Sequence, residues 1–259
     1  MELTWAGKRK VAVISIFTAV GVLIFFGIGF AIFYEVPSCT DNKQNQSESG
    51  VDCGGECNVI CNLEVKAPRV LFTRVLEAQQ PGRTDIIAYV ENSNANASLI
   101  RGEATLELYD ESRRLIFSDT VLVTIPPSST VPIFIPGIFE TSNKVAQAFL
   151  TFNAPLRWNR ASTTQPLPLK AESIAIQESQ TPRVTAVLTN ASAKTMRNIT
   201  VIATVFGATG NTIAASKTLV LSVGAQSSAP LVFTWNVPFP DLVSRVEIVP
   251  LVDPLTLVP

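Results

Sequence analysis

Histidine is absent from the 259-residue chain. That excludes Ser-His-Asp and Cys-His catalysis, His-ligated zinc and histidine-based pH switching. Charge is also scarce: 16% of residues are charged, with 20 Lys and Arg against 21 Asp and Glu, for a net charge of −1. So even a balance gives no electrostatic reason to expect nucleic acid as a partner. There is no Gly-rich phosphate loop or dinucleotide fingerprint. Cysteines number four and fall in one short stretch, so most of the chain must fold without covalent braces. Hydrophobic residues, at 47%, are ample for a core, although the excess concentrates near the N-terminus.

Val11 to Phe33 is a run of 23 residues without a charge. As a helix it would rise roughly 34 Å, enough to cross a hydrocarbon core of about 30 Å. Lys8, Arg9 and Lys10 precede the run, and Glu35 is the first charge after it. The positive-inside bias predicts a cytoplasmic tail at 1–10, a transmembrane helix at 11–34 and an extracytoplasmic remainder. Trp5 and Tyr34 flank the run at headgroup depth. A cleaved signal has a shorter apolar region and a small-residue cleavage site, which Tyr34-Glu35-Val36-Pro37 does not provide. A lipobox reading of Val36-Pro37-Ser38-Cys39 suffers from the central proline and would leave an odd cysteine. The lipid bilayer is therefore the partner expected for Val11–Phe33.

The cysteines follow at Cys39, Cys53, Cys57 and Cys61, within 23 residues. An even, clustered set on the outer side of a membrane predicts two disulfides in a neck at 35–63, with three connectivities open. Zinc is the competing use, since Cys53, Cys57 and Cys61 are spaced almost as zinc ligands are. Thiolate ligands, however, suit a reducing compartment. Between the cysteines, Asp41, Asn45, Glu48 and Asp52 supply oxygens that can converge on Ca²⁺. The simpler reading is a solvated acidic loop shaped by disulfides, because four such ligands fall short of a full shell. The segment Cys39–Cys57 resembles a short module of bacterial surface and secreted proteins, C-x-D-x-x-x-N-x-x-E-x-x-x-D-C-G-G-x-C. Asn42 stands where that module often has Gly. The resemblance implies an extracytoplasmic protein and no catalytic activity.

From Glu64 onward the apolar period is two. Short runs such as Ile86–Val90, Ala104–Tyr109 and Val121–Ile125 alternate with turn clusters such as Gln80-Pro81-Gly82, Asn92-Ser93-Asn94 and Pro126-Pro127-Ser128. That pattern predicts an all-β fold. The second half repeats the plan: Glu91-Asn92-Ser93 matches Thr189-Asn190-Ala191, and Val131-Pro132-Ile133-Phe134 matches Ala229-Pro230-Leu231-Val232. The offset holds at 97 or 98 residues, which points to internal duplication. The fold class expected is two tandem immunoglobulin-like β-sandwiches, at 64–160 and 168–259, preceded by one transmembrane helix and a small Cys-rich segment. A polar stretch at 159–168 separates them. Candidate core residues are Phe72, Tyr89, Leu106, Leu108, Phe117 and Phe134 in the first unit. Those in the second are Val187, Val201, Val205, Phe206, Leu221 and Phe233.

The unit resembles the FxLYD-type domain of bacterial extracytoplasmic proteins. The likeness rests on the Asn-small turns (Asn92-Ser93; Asn190-Ala191) and on Leu106-Glu107-Leu108-Tyr109-Asp110, followed by the polar turn and the Pro/Gly-Ser turn. The second copy departs at the signature, reading Thr204-Val205-Phe206-Gly207. The resemblance implies a binding or spacer module without an active site.

Searching for chemistry yields little. Asp110 and Glu111 sit at a predicted hairpin tip, where solvated acids are the norm. Ser128-Ser129 and Ser227-Ser228 have no base, and Lys144, Lys170, Lys194 and Lys217 lie in polar contexts unsuited to a Ser-Lys dyad. Glycosylation sequons begin at Asn45, Asn96, Asn190 and Asn198. No catalytic residue, cofactor or nucleic-acid partner is assigned, Ca²⁺ at the neck being the one ion considered. The function expected is a non-enzymatic, membrane-anchored surface protein that binds an envelope protein or a surface polymer. An accessory subunit of a membrane complex, its helix packed with partner helices, is the alternative.

Overall fold

The structure is a computed structural model that describes residues 5–33, 38–45, 47–76, 83–138, 144–161 and 168–252. Tyr34, the turn at Gln80-Pro81-Gly82 and most of the expected linker, 162–167, lie outside the described residues. Strand makes up 55% and helix 12%, so the body is all-β behind one N-terminal helix, as its period-two patterning requires.

Helix α1, Trp5–Phe33, has 29 residues, and its window Arg9–Phe30 is long and apolar enough to cross a membrane. None of that window is covered by the rest of the chain. Even its Thr18 hydroxyl is satisfied internally, donating to Ile14 O at 2.8 Å. A helix that is apolar on every face and uncovered by its own chain needs another apolar medium around it.

Among the described residues the first half holds eight strands: β1 (Val59–Ile60), β2 (Arg69–Leu76), β3 (Asp85–Asn92), β4 (Ala97–Asp110), β5 (Leu115–Ile125), β6 (Ser129–Ile135), β7 (Val145–Phe152) and β8 (Trp158–Arg160). They form one sheet in the order β2-β3-β6 and a second in the order β1-β8-β4-β5, with β7 also on β4. The second half holds β9 (Leu169–Gln177), β10 (Arg183–Asn190), β11 (Met196–Gly207), β12 (Thr212–Val223), β13 (Ser227–Thr234) and β14 (Val243–Leu251). Its sheets run β9-β10-β13 and β12-β11-β14, so six strands in each half pair in the same order. Every named pairing is antiparallel. Alternation decides which face is buried: on β4, Ala104, Leu106 and Leu108 point inward and Glu103, Thr105 and Glu107 outward. Burying Leu106 or Leu108 is worth about 1.5–3 kcal/mol each.

In each sandwich one buried asparagine ties two turns together. Asn92 Nδ2 donates to Ala97 O at 2.8 Å and Pro126 O at 2.9 Å, while Oδ1 accepts from Asn94 N at 3.0 Å. Asn190 Nδ2 donates to Lys194 O at 2.8 Å, Val223 O at 3.2 Å and Gly224 O at 2.9 Å, and Oδ1 accepts from Ser192 N at 3.0 Å.

The sandwiches stack face to face. Leu76, Ile87, Tyr89 and Phe134, on the outer face of β2-β3-β6, pack against Ile202, Phe206 and Ala215 on the outer face of β12-β11-β14. Tyr89 stacks on Phe72 with centroids 5.0 Å apart and meets the edge of Phe206 at 6.2 Å. Hydrogen bonds that cross the seam include Tyr89 OH to Glu247 Oε2 at 3.0 Å and Arg74 Nη2 to Asn211 Oδ1 at 2.8 Å. Burial raises the Tyr89 hydroxyl pKa well above its ordinary value, so the phenol stays a donor to Glu247.

Several core expectations need correcting. Leu106, Leu108, Val201, Val205 and Phe233 are buried within the sandwiches, and Phe117 packs against the first core. Tyr89, Phe134 and Phe206 are buried in the seam instead. Phe72, Val187 and Leu221 are 38%, 36% and 71% exposed. On β10 the residues facing the core are Val184, Ala186 and Leu188, so Val187 is out of phase by one and points away.

Candidate functional site

The Cys-rich segment is built onto the first sandwich. Cys39 bonds Cys57 and Cys53 bonds Cys61, with Cα separations of 5.7 and 5.1 Å. Immediately after, β1 pairs with β8, bringing Ile60 opposite the buried Trp158. Arg160 donates from Nη2 to Gly55 O at 2.7 Å and from its backbone N to Asn58 O at 2.6 Å. The expected neck at 35–63 thus ends as a strand of the sandwich rather than as a separate spacer.

Asp41, Asn45, Glu48 and Asp52 come together in this module. Asp52 Oδ1 accepts from Asp41 N at 2.9 Å and its Oδ2 from Asn42 N at 3.0 Å. Asp41 Oδ1 accepts from Lys43 N at 2.9 Å, and its Oδ2 from Asn45 Nδ2 at 2.8 Å. Glu48 Oε2 accepts from Asn45 N at 3.1 Å. Each carboxylate therefore holds a loop amide in place. Asn42 has φ of +58°, the left-handed region that Gly favours and Asn tolerates. Glu48, Cys39 and Cys57 also cluster. The two sulfurs are bonded to each other, so neither is a thiolate for a metal.

At the hairpin tip between β4 and β5, Asp110 is not solvated: it is buried, and the tip folds around it. Its Oδ1 accepts from Ser112 N at 2.8 Å and Arg114 N at 2.9 Å, and its Oδ2 from Arg114 Nε at 3.0 Å. These bonds, led by the Arg114 amide, hold its carboxyl below the usual range. Glu111 beside it is exposed, 4.0 Å from Lys144 Nζ. In the second sandwich Gly207 replaces Asp110, and Asp241 enters from the loop before β14 to accept from Ala208 N at 3.0 Å. A Cβ on Gly207 would lie 2.6 Å from Asp241 Oδ2, so that approach needs glycine. Asn190, the third sequon, is fully buried with its amide spent on three carbonyls, and cannot carry a glycan in the folded chain.

The seam itself opens into two crevices. One, of about 370 Å³, is lined by Arg83, Asp85 and Gly137 of the first sandwich and by Lys217, Trp235 and Asn236 of the second. Strand β3 starts at Asp85, which is 7% exposed and accepts from Gly137 N through Oδ1 at 2.7 Å. Burial raises its carboxyl pKa, and the Gly137 bond opposes that in part. Trp235, 2% exposed, donates from Nε1 to Ala215 O at 3.2 Å and thereby fixes the end of β13 on β12. Arg83 and Lys217 are exposed at the rim. The second crevice, of about 260 Å³, is more apolar, with Leu122, Pro132, Ile133, Ile202, Leu251 and Val252 among its lining. Of the first crevice, sequence reading named Lys217, as a lysine in a polar context, and Phe134, as a core residue, but assigned neither to a site. The available signal was an acid opening an otherwise unbroken apolar run, Asp85-Ile86-Ile87-Ala88-Tyr89-Val90.

No family model matches the chain, and no curated protein matches it. Among solved structures it is similar to a red sea bream transglutaminase, at 12% identity and a TM-score of 0.24 over 73% of this chain and 30% of that one. It is also similar to a β-glucuronidase from glycoside hydrolase family 2, at 11% identity and a TM-score of 0.22 over 85% of this chain and 29% of that one. The chain thus spans less than a third of either.

Proposed function

We propose that this is a non-enzymatic, membrane-anchored surface protein that holds two β-sandwiches, fused into one body, outside the membrane for binding an envelope protein or surface polymer. Residues 1–10 face the cytoplasm, α1 crosses the bilayer, and everything beyond it is extracytoplasmic. The observation that carries this reading is an uncovered apolar helix followed at once by a doubly disulfide-bonded module, since paired cysteines belong to oxidising compartments. The shared strand order of the halves supports a duplicated FxLYD-like unit, the kind of module used for contact rather than chemistry.

The test is labelling of intact cells with a membrane-impermeant thiol reagent, with and without prior reduction, read by mass. Adducts on Cys39, Cys53, Cys57 and Cys61 are expected only after reduction. Adducts that need permeabilised cells but no reductant would reverse the topology and overturn the reading.

A further inference from the structure

We infer that neighbouring copies of this chain dock head to tail: the outer face of β9-β10-β13 on one copy covers the outer face of β5-β4-β7 on the next, repeating between molecules the seam that joins the sandwiches within one. This goes beyond the surface-binding reading, since it asks that α1 lie in a bilayer but not which side the body occupies. The seam joins unlike sheets, the β2-β3-β6 face of the first sandwich being buried against the β12-β11-β14 face of the second. Because both halves share one strand order, each of these faces has a counterpart that the seam leaves unused. A contact between unlike faces is heterologous, so copies add to it in series.

Register locates the counterparts residue by residue. Counting from Asn92 and Asn190, Val187 stands where Tyr89 does. Thr185 pairs with Val232 as Ile87 pairs with Phe134, so Val232 stands where Phe134 does. On the other face, Tyr109 takes the place of Phe206. Glu107 pairs with Phe149 as Thr204 pairs with Glu247, which puts Phe149 in the place of Glu247. In the seam Tyr89 meets Phe206 and Glu247, and docking accordingly sets Val187 of one copy against Tyr109 and Phe149 of the next.

The make-up of the two open faces argues for an occupant. Units that end a stacked array present a polar outer face, and these do not. Val187 and Val232 are exposed side by side on β10 and β13, and Phe149 is exposed on β7 with its ring edge-on to Tyr109 at 5.7 Å. Thr185, Thr105 and Ser118 stand where the seam has Ile87, Ile202 and Ala215, so the contact is weaker than the seam and reversible. An unrelated partner would need one of these faces. That one molecule carries both, in matching register, selects a second copy.

The experiment is photo-crosslinking of the full chain in phosphatidylcholine liposomes. A probe chain carrying p-benzoylphenylalanine at Val232 is irradiated beside a tagged acceptor chain, and the adducts are mapped by mass. Adducts are expected on β4 and β7 of the acceptor, around Tyr109 and Phe149. The same probe at Leu221, exposed on β12 outside both faces, should give none. Phe149→Glu on the acceptor sets a charge against Val187 and should cut the yield at least about tenfold. On the probe chain alone the same substitution should leave the yield unchanged, because that chain docks through its other face; this arm also shows that the variant folds. No adduct, an equal yield from Leu221, adducts on the acceptor's own β10 or β13, or equal loss with Phe149→Glu on either chain would overturn the inference. Failure to crosslink leaves the surface reading standing, and thiol labelling that reversed the topology would leave this docking untouched.

Discussion

Asn92 and Asn190 occupy one position of the two sandwiches, and each replaces with a single side chain the partners that two turns lack. Asn190→Ala should therefore cost about 2–3 kcal/mol, since carbonyls are left short of a donor inside the protein; urea unfolding at neutral pH measures it. Asp85 behaves in the opposite sense. Its carboxyl is raised by burial, so the stability tied to its protonated form is full below the unfolded pKa and is lost as pH rises through the folded one. Asp85→Asn keeps an oxygen for Gly137 N–H and should raise Tm at pH 7. That gain should shrink as pH falls through the raised carboxyl pKa and vanish below the ordinary carboxylate range, as scanning calorimetry across pH would record. At this scale the sequence was legible by residue type and blind to environment. Asp110 and Glu111 are neighbours of the same chemistry, yet one is the buried centre of a hairpin and the other is in solvent. Only the return of Arg114 across the turn separates them.

Strands β3 and β11 differ from the others in carrying apolar residues on both faces. On β10, Val184, Ala186 and Leu188 face the core and their neighbours do not, whereas Ile86 to Val90 and Val201 to Phe206 are buried throughout. An unbroken apolar strand has both sides covered, and here the second cover is the other sandwich. The all-β class was readable because period two and turn residues are local signals. Which outer face would be covered was not, because it depends on two distant strands meeting. Phe206→Ala, removing the ring at the middle of the seam, should cost about 3–4 kcal/mol. Calorimetry should then show two unfolding transitions in place of one, the first sandwich parting from the second.

For the whole molecule, the disulfides set how the N-terminal segment joins the body. By loop length alone, the bridges with sequence separations of 18 and 8 should contribute about 3 and 2.5 kcal/mol through the unfolded state. Reduction should accordingly lower the urea midpoint of the Cys module and of β8, which it pairs with, before that of the second sandwich, as hydrogen exchange resolves. The cysteine count and the clustering that predicts two disulfides were legible in the sequence. The partnership was not, since three connectivities fit the spacing equally and the choice depends on how the loop closes around Asp52. Any tension applied through the N-terminal helix enters the body at Cys39 and crosses directly to Cys57, whose Cα lies 5.7 Å away. The intervening loop, with a contour of roughly 60 Å, bears none of it. The link between helix and sandwich is in this sense a stiff strut under load, and reducing the bridge would turn it into a spring.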